Sequence, residues 1–243
     1  MISVCIATYN GEKYIKEQLG SILKQLSSSD EIIISDDGSK DSTIEIIKDF
    51  NDDRIKIFLN EGIHGFTHNF ENALNQANGD YIFLSDQDDI WVDNKVKVTL
   101  DALQKADLAI SDCITVNNNM EVLQESRFKA FNIKPGFIRQ LIKSRYLGCC
   151  MAFNRRLLEA AIPFPENDFL VEHDIWIAAV GFLYFKVKLI ETPLIYYRRH
   201  GDNTSAGGFE KGYSMTNKIY RRIYRIRELF KIKRKVRNIK ETK

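Results

Sequence analysis

The first ninety residues alternate short apolar runs with longer amphipathic ones. Val4 to Ala7 is an apolar run that stops at Thr8-Tyr9-Asn10-Gly11, a turn signal. Ile15, Leu19, Ile22, Leu23 and Leu26 follow at helical spacing and predict a helix over 12–25. Ile32-Ile33-Ile34 is β-branched and apolar on both faces, as a buried parallel strand requires. Further runs predict a helix over 41–50, a strand over 55–59, a helix over 66–77 and a strand over 81–84. Four strand–helix alternations predict right-handed βαβ units and a doubly wound, mostly parallel sheet flanked by helices.

Ligands of such sheets bind beyond the carboxyl ends of the strands. Thr8–Gly11, Asp36-Asp37-Gly38-Ser39 and Ser85-Asp86-Gln87-Asp88-Asp89 all fall at those ends and are expected to converge. The second half carries weaker periodicity. It predicts strands over 108–111 and 148–153, a helix over 155–161, a buried helix over 175–181 and one or two strands over 184–197. Residues 113–145 have no clear pattern.

Composition narrows the class. Of 243 residues, 44% are hydrophobic and 28% charged, which excludes disordered, collagen-like and disulfide-scaffold chains. The longest apolar run, Ile175 to Phe185, is too short to span a bilayer. The start, Met-Ile-Ser-Val with no cation before Lys13, reads as a core strand rather than a signal peptide. Cys5, Cys113, Cys149 and Cys150 form no Cys-x-x-Cys, so buried reduced thiols of a cytoplasmic protein are expected. A strand over 148–153 would send Cys149 and Cys150 to opposite faces. The formal net charge of +2 conceals a split: residues 218–243 carry +10 and residues 1–217 carry −8. This divides the chain into a body, 1–217, with halves 1–100 and 101–217, and a basic tail.

Three carboxylates within the four residues Asp86 to Asp89 repel one another unless a cation lies among them. Mg²⁺ or Mn²⁺ suits such oxygen ligands and shares them with substrate phosphates. The competing reading is an Asx-turn capping a helix that starts near Asp93. Neither a Walker-type loop nor a dinucleotide fingerprint follows the first strand, which argues against both chemistries.

Read in order, Val4-Cys-Ile-Ala-Thr-Tyr-Asn-Gly11, Ser35-Asp-Asp-Gly-Ser-Lys-Asp-Ser-Thr43, Asn60-Glu-Gly62 with Gly65 and Asn69, and Gly79-Asp-Tyr-Ile-Phe-Leu-Ser-Asp-Gln-Asp-Asp-Ile-Trp91 resemble the family 2 glycosyltransferases of GT-A (Rossmann-like) fold. The likeness resumes at Gly148–Arg156, Glu172-His-Asp-Ile-Trp176 and Tyr197–Ser205. It implies that Ala7, Tyr9 and Asp37 hold the nucleotide base, that Asp86 contacts the ribose side and that Asp88 binds a metal bridging the diphosphate. His68 takes the place of a basic residue in the middle segment. Gly148, Asp89 and Glu172 border the acceptor and sugar. Asp174 stands at the base position of the family's Glu-Asp segment, with N-terminal capping of the buried helix as the structural alternative. Many bacterial relatives with Ser-Asp-Gln-Asp-Asp-Ile-Trp act in capsule, O-antigen or cell-wall polysaccharide assembly on lipid-linked or polysaccharide acceptors.

The chemistry follows. An acceptor hydroxyl needs a base as it attacks the anomeric carbon. Metal neutralises the departing diphosphate, and a base on the opposite face implies inversion. His200 follows a predicted strand, where a neutral imidazole completes the metal shell. Trp176 is assigned to stacking on the acceptor and Trp91 to the core.

In the tail, Ile219, Ile223, Ile226 and Phe230, then Leu229, Ile232, Val236 and Ile239, recur at helical spacing among many cations. Two readings stay open: attachment to an anionic membrane surface at the inner face of the cell membrane, or packing on the body with a solvated basic face. The acidic body and the lack of a nucleic-acid motif argue against nucleic acid. UDP-hexoses and dTDP-rhamnose remain open as donors. The alternatives are a metal-dependent nucleotidyltransferase, which would release diphosphate, and a non-catalytic sugar-binding module.

Overall fold

The computed structural model describes residues 1–201 and 214–242. The first half follows the predicted alternation: β1 (Ile2–Thr8), α1 (Ile15–Leu23), β2 (Glu31–Asp36), α2 (Thr43–Lys48), β3 (Ile55–Leu59), α3 (Phe66–Gln76) and β4 (Tyr81–Asp86). β1 and β2 are buried along nearly their whole length, which is why their apolar residues do not alternate. Then come β5 (Ile90–Trp91), α4 (Lys95–Leu103), β6 (Leu108–Val116), β7 (Val122–Gln124), α5 (Arg127–Ala130), α6 (Phe137–Ile142), a 3₁₀ turn at Gly148–Cys150, β8 (Met151–Asn154), α7 (Arg155–Ala161), α8 (His173–Tyr184), β9 (Val187–Arg198) and α9 (Met215–Glu241).

One sheet runs β3-β2-β1-β4-β8-β6-β9-β5, with β7 pairing on β6. Strands β1 to β4 are mutually parallel where they pair, and β6 and β9 are parallel. β8 lies antiparallel between β4 and β6. The chain leaves β1 for β2 and β3, then returns to pair β4 on the other side of β1. That reversal opens a crevice at the carboxyl ends of β1 and β4, where Ala7 pairs both Ser35 and Asp86.

Two expectations change. Residues 148–150 form the 3₁₀ turn, so Cys149 and Cys150 do not alternate across a strand; both are buried in the core, and all four cysteines are free thiols. Residues 184–197 give a single strand, bent by register shifts against β6 at Ser111–Asp112 and Asp112–Ile114.

The tail helix α9 packs on the body. Leu229 and Val236 are buried, and Ile232 and Ile239 pack partly buried against the same core. Tyr184 Oη donates to Leu229 O at 2.8 Å. The other apolar set faces out: Ile219, Ile223 and Phe230 are 48%, 59% and 67% exposed. The helix therefore has two apolar stripes, one on the core and one on the surface. The basic face is not wholly solvated, because Arg221 and Arg225 are buried. No helix among the described residues is long and apolar enough to cross a membrane.

Candidate functional site

The crevice is closed on one side by the Tyr9 turn. Gln87 holds it by a reciprocal pair: Tyr9 N donates to Gln87 Oε1 at 2.9 Å, and Gln87 Nε2 donates to Tyr9 O at 3.1 Å. Gly11 sits so close that a Cβ there would run into Gln87 Oε1. The Tyr9 ring stays 54% exposed, free to meet a ligand.

The two aspartates after β2 divide their work. Asp36 accepts from Thr8 Oγ1, Gly38 N and Ser39 N and shapes the turn, with Gly38 at φ +85°. Asp37 reaches across to the 60–65 loop, accepting from Asn60 Nδ2 at 2.7 Å and Gly65 N at 2.8 Å, with His64 Nδ1 at 2.9 Å. The histidine at Asp37 is thus His64. His68 instead lies on α3 beside Asp168 (3.6 Å) and Glu71 (3.9 Å), a carboxylate setting ill-suited to a diphosphate. His64 lies before α3 begins at Phe66, so the i, i+4 relation that would bring residues 64 and 68 onto one helix face does not apply.

The acidic turn buries Asp88 and Asp89 and half-buries Asp86. Burial and the charge of Asp88 push Asp86 up to about 7. Burial pushes Asp89 well above the usual carboxylate range, with Asp88 and Asp86 adding to it. Asp89 Oδ1 accepts from Arg198 N at 3.0 Å, while Asp89 Oδ2 is buried without a hydrogen-bond partner. Asp88 Oδ2 lies 2.7 Å from His200 Nε2, and the His200 ring stacks on Tyr14 at 4.7 Å. Arg198 joins the turn to β9 by donating from Nε to Asp88 O at 2.9 Å.

These residues fit a divalent cation. Mutually raised carboxylates and the orphaned Asp89 oxygen mark a concentration of negative charge that a cation would offset. Asp86, Asp89 and Cys149 bring potential ligand atoms within 4.8 Å of one another. Cys149 is the weak member, because hydrogen bonding to Cys150 and burial hold its thiol protonated. The remaining oxygen and imidazole donors suit Mg²⁺ or Mn²⁺.

Opposite this turn, α8 begins at the expected Glu-His-Asp segment. Glu172 occupies the N-cap position, so Asp174 is not the cap; it lies in the first turn and accepts from Ile175 N at 2.5 Å. Burial, then Glu172, push the Asp174 carboxyl up to about 8, and the charge of Asp86 contributes. The two acidic centres therefore feel each other across one crevice. Glu172 also meets Arg221 of α9, Nη2 to Oε1 at 3.6 Å.

His173 between them is buried, stacked on Phe70 at 4.3 Å, with both ring nitrogens unpartnered. Burial alone drops its pKa to about 3. Gly148 is explained by this ring: a Cβ there would lie 2.7 Å from His173 Nε2. Its close neighbour is thus an internal one. Trp176 corrects the acceptor-stacking expectation. It is 1% exposed and donates from Nε1 to Ala161 O at 2.8 Å, so neither ring face is offered to a sugar. Trp91 packs in the core against Phe83, as expected.

The sequence reading passed over His64, Gln87, Arg198 and the buried α9 arginines. Gln87 and Arg198 stand inside the quoted motifs, a signal that was present. The α9 arginines carried none, since a cation in a basic helix is indistinguishable from its solvated neighbours. Residues 202–205 of the last motif lie outside the described residues.

Known proteins share this fold. Solved structures with the same fold include S. aureus TarS 1-349 in complex with UDP-GlcNAc (TM-score 0.68, 22% identity, covering 88% of this chain and 61% of that one). Mannosyltransferase PcManGT from Pyrobaculum calidifontis, in complex with GDP-Man and Mn²⁺, gives a TM-score of 0.59 at 20% identity, covering 79% and 54% of the two chains. This chain thus spans about three fifths of the TarS chain. A curated relative is the Escherichia coli UDP-Glc:alpha-D-GlcNAc-diphosphoundecaprenol beta-1,3-glucosyltransferase WfgD, 27% identical over 205 residues, 80% of this chain and 79% of that protein. The Shigella flexneri dTDP-rhamnosyl transferase RfbG is 41% identical over 106 residues, 40% of this chain and 36% of its own length. The family description "Glycosyl transferase family 2" matches residues 3–161, and with the GT-A sheet and its acidic switch-point turn this places the chain in glycosyl transferase family 2 and makes it a glycosyltransferase.

Proposed function

We propose that the protein transfers a hexose, with inversion, from a nucleotide-sugar to a hydroxyl of a lipid-linked or polysaccharide acceptor in bacterial surface glycan synthesis. The observation that carries this reading is the proximity of two acidic centres, Asp86–Asp89 with His200 and Asp174, whose carboxyl the charge of Asp86 helps to raise. The names of WfgD and RfbG support nucleotide-sugar donors, UDP-glucose and dTDP-rhamnose among them, and WfgD supports a lipid-diphosphate acceptor.

In this reading Ala7, the Tyr9 turn and Asp37 receive the nucleotide base, and Asp86 the ribose. Asp88 and His200 would hold the Mn²⁺ or Mg²⁺, beside the Asp86 and Asp89 oxygens. When bound, the cation supplies Lewis-acid neutralisation of the departing diphosphate. Asp174 takes the proton of the attacking hydroxyl; a carboxyl raised to about 8 is a far stronger base than a solvated one. Glu172 and Asp89 border the acceptor side, Glu172 raising Asp174 by its charge. The protein works at the inner face of the cell membrane, where the exposed stripe Ile219, Ile223 and Phe230 and the outward cations of α9 meet an anionic surface.

A panel of nucleotide-sugars with Mn²⁺, monitored for nucleoside diphosphate release and for product stereochemistry by NMR, tests this. A single donor turned over with inverted configuration is expected; retained configuration rules out Asp174 as base in a single displacement.

A further inference from the structure

A second charged feature lies outside the crevice. Between Arg127 and Leu158 the sequence holds eight Lys/Arg and no Asp or Glu. The fold wraps the middle of this stretch around a cavity of about 530 Å³, lined among others by Phe131, Lys134, Arg139, Lys143, Arg145 and Tyr146. Its inner cation is fixed: Arg145 Nη1 donates to Phe131 O at 2.8 Å, and its guanidinium lies 5.3 Å from the centre of the Phe131 ring. Tyr146 Oη donates to Lys134 O at 3.2 Å and ties the two ends of the loop together. Arg139 of α6 and Lys143, the extended residue that follows the helix, also line it. Among the described residues none of these four cations is in an ion pair with a carboxylate. Such a concave, unneutralised cation cluster fits a multivalent anion far better than a neutral sugar.

Two neighbours say which anion. Next to the Arg139/Lys143 stripe, Ile138 and Ile142 are 64% and 59% exposed. α9 is seated on this edge, Arg222 Nη2 donating to Ile142 O at 2.8 Å and Arg225 Nη1 to Gln140 O at 3.2 Å, and it adds the exposed Ile219, Tyr220 and Ile223. An apolar rim around a cationic cavity matches an amphiphile with an anionic head. On the inner side, buried Gln140 donates from Nε2 to Ile175 O at 3.4 Å, one residue from Asp174. The cavity wall therefore abuts the helical turn that carries the proposed base.

We propose that this cavity binds the diphosphate of a lipid-linked acceptor, its lipid chain leaving over Ile138, Ile142 and the α9 stripe and its sugar directed toward Asp174. The assignment rests on the glycosyl-transfer reading above. Lys134, Arg139, Lys143 and Arg145 are then specificity-determining residues for the acceptor.

The test uses the full chain and three probes: farnesyl diphosphate, farnesol and phosphatidylglycerol vesicles. Farnesyl diphosphate is expected to bind, and farnesol at least about tenfold more weakly, since two charge-assisted contacts are lost. The exposed double variant Arg139→Gln/Lys143→Gln should keep its circular dichroism and its UDP affinity but lose about tenfold or more for farnesyl diphosphate. Unchanged affinity in the double variant overturns the proposal. So does displacement of farnesyl diphosphate by UDP, which would place it in the donor site. Vesicle binding that depends on Arg139 and Lys143 without any farnesyl diphosphate binding also overturns it, in favour of a bulk phospholipid face. Nucleotide-sugar turnover is measured separately in the wild type, so its absence defeats the glycosyl-transfer reading while the binding result stands on its own.

Discussion

His200 Nε2 lies 2.7 Å from Asp88 Oδ2 although 112 residues separate them, and both side chains are nearly buried, at 5% and 12% exposure. Burying an imidazole against a carboxylate of the acidic turn takes both groups out of water, a cost that a bound cation would help to offset. A divalent cation fills that role in the proposed reaction. His200→Ala should therefore raise the Mn²⁺ concentration for half-maximal nucleoside diphosphate release by about 10–100-fold, the usual penalty for a lost supporting group at a metal. Asp88→Asn should lower turnover by about 10²–10³-fold at any Mn²⁺ concentration. If His200→Ala needs no more metal than the wild type, the pair is structural.

Removing the proposed base separates chemistry from donor binding. Asp174→Asn keeps the shape of the α8 first turn and should cut kcat by about 10²–10⁴-fold, with donor affinity by calorimetry unchanged. Equal losses in donor affinity and rate would assign Asp174 to the fold instead.

Gln87 acts on binding through the Tyr9 turn. Its two hydrogen bonds are worth about 1 kcal/mol each, so Gln87→Ala should raise the donor KM by about three- to tenfold and leave kcat within a factor of two. A fall confined to kcat would contradict that role.

His173 should make the fold acid-sensitive. Its native pKa of about 3 lies below the 6.5 of a free imidazole, so on acidification the unfolded chain takes up a proton before the native one does. The neutral ring's contribution is complete above about pH 6.5 and falls toward pH 3, by at most about 1.4 kcal/mol per pH unit. His173→Phe preserves the contact with Phe70 and should flatten the pH dependence of urea-unfolding stability between pH 6 and 4 relative to wild type. Parallel curves for the two proteins would show that His173 does not titrate on unfolding.

Adjacent residues on α9 give a contrast. Leu229→Ala opens a cavity under a residue that is 1% exposed and should cost about 2–5 kcal/mol. Phe230→Ser, at 67% exposure, should change stability by less than about 0.5 kcal/mol yet reduce sedimentation with anionic vesicles. Undiminished sedimentation of Phe230→Ser would remove the outward stripe from the membrane reading.

What the sequence determined by itself is local. Runs such as Ile32–Ile34 fix a doubly buried strand, and turns such as Asp36–Ser39 and Ser85–Asp89 end their strands, because periodicity and turn chemistry act within a few residues. Once the alternation made the sheet parallel, the convergence of those turns at one edge followed, and so did the candidates Asp86 and Asp88; Asp174 came only from the resemblance of Glu172–Trp176 to the family's Glu-Asp segment. Tertiary structure decided the rest. Whether Trp176 met a sugar or the core depended on Ala161 O, which accepts from its indole N–H inside the core. Whether Gly148 faced substrate depended on the His173 ring packed against it. Which α9 stripe was internal depended on the body offering one apolar seat, taken by Leu229 and Val236 while Ile223 and Phe230 were left outside. An apolar or basic residue looks the same in sequence whichever side of a helix is covered, and only long-range packing breaks that symmetry.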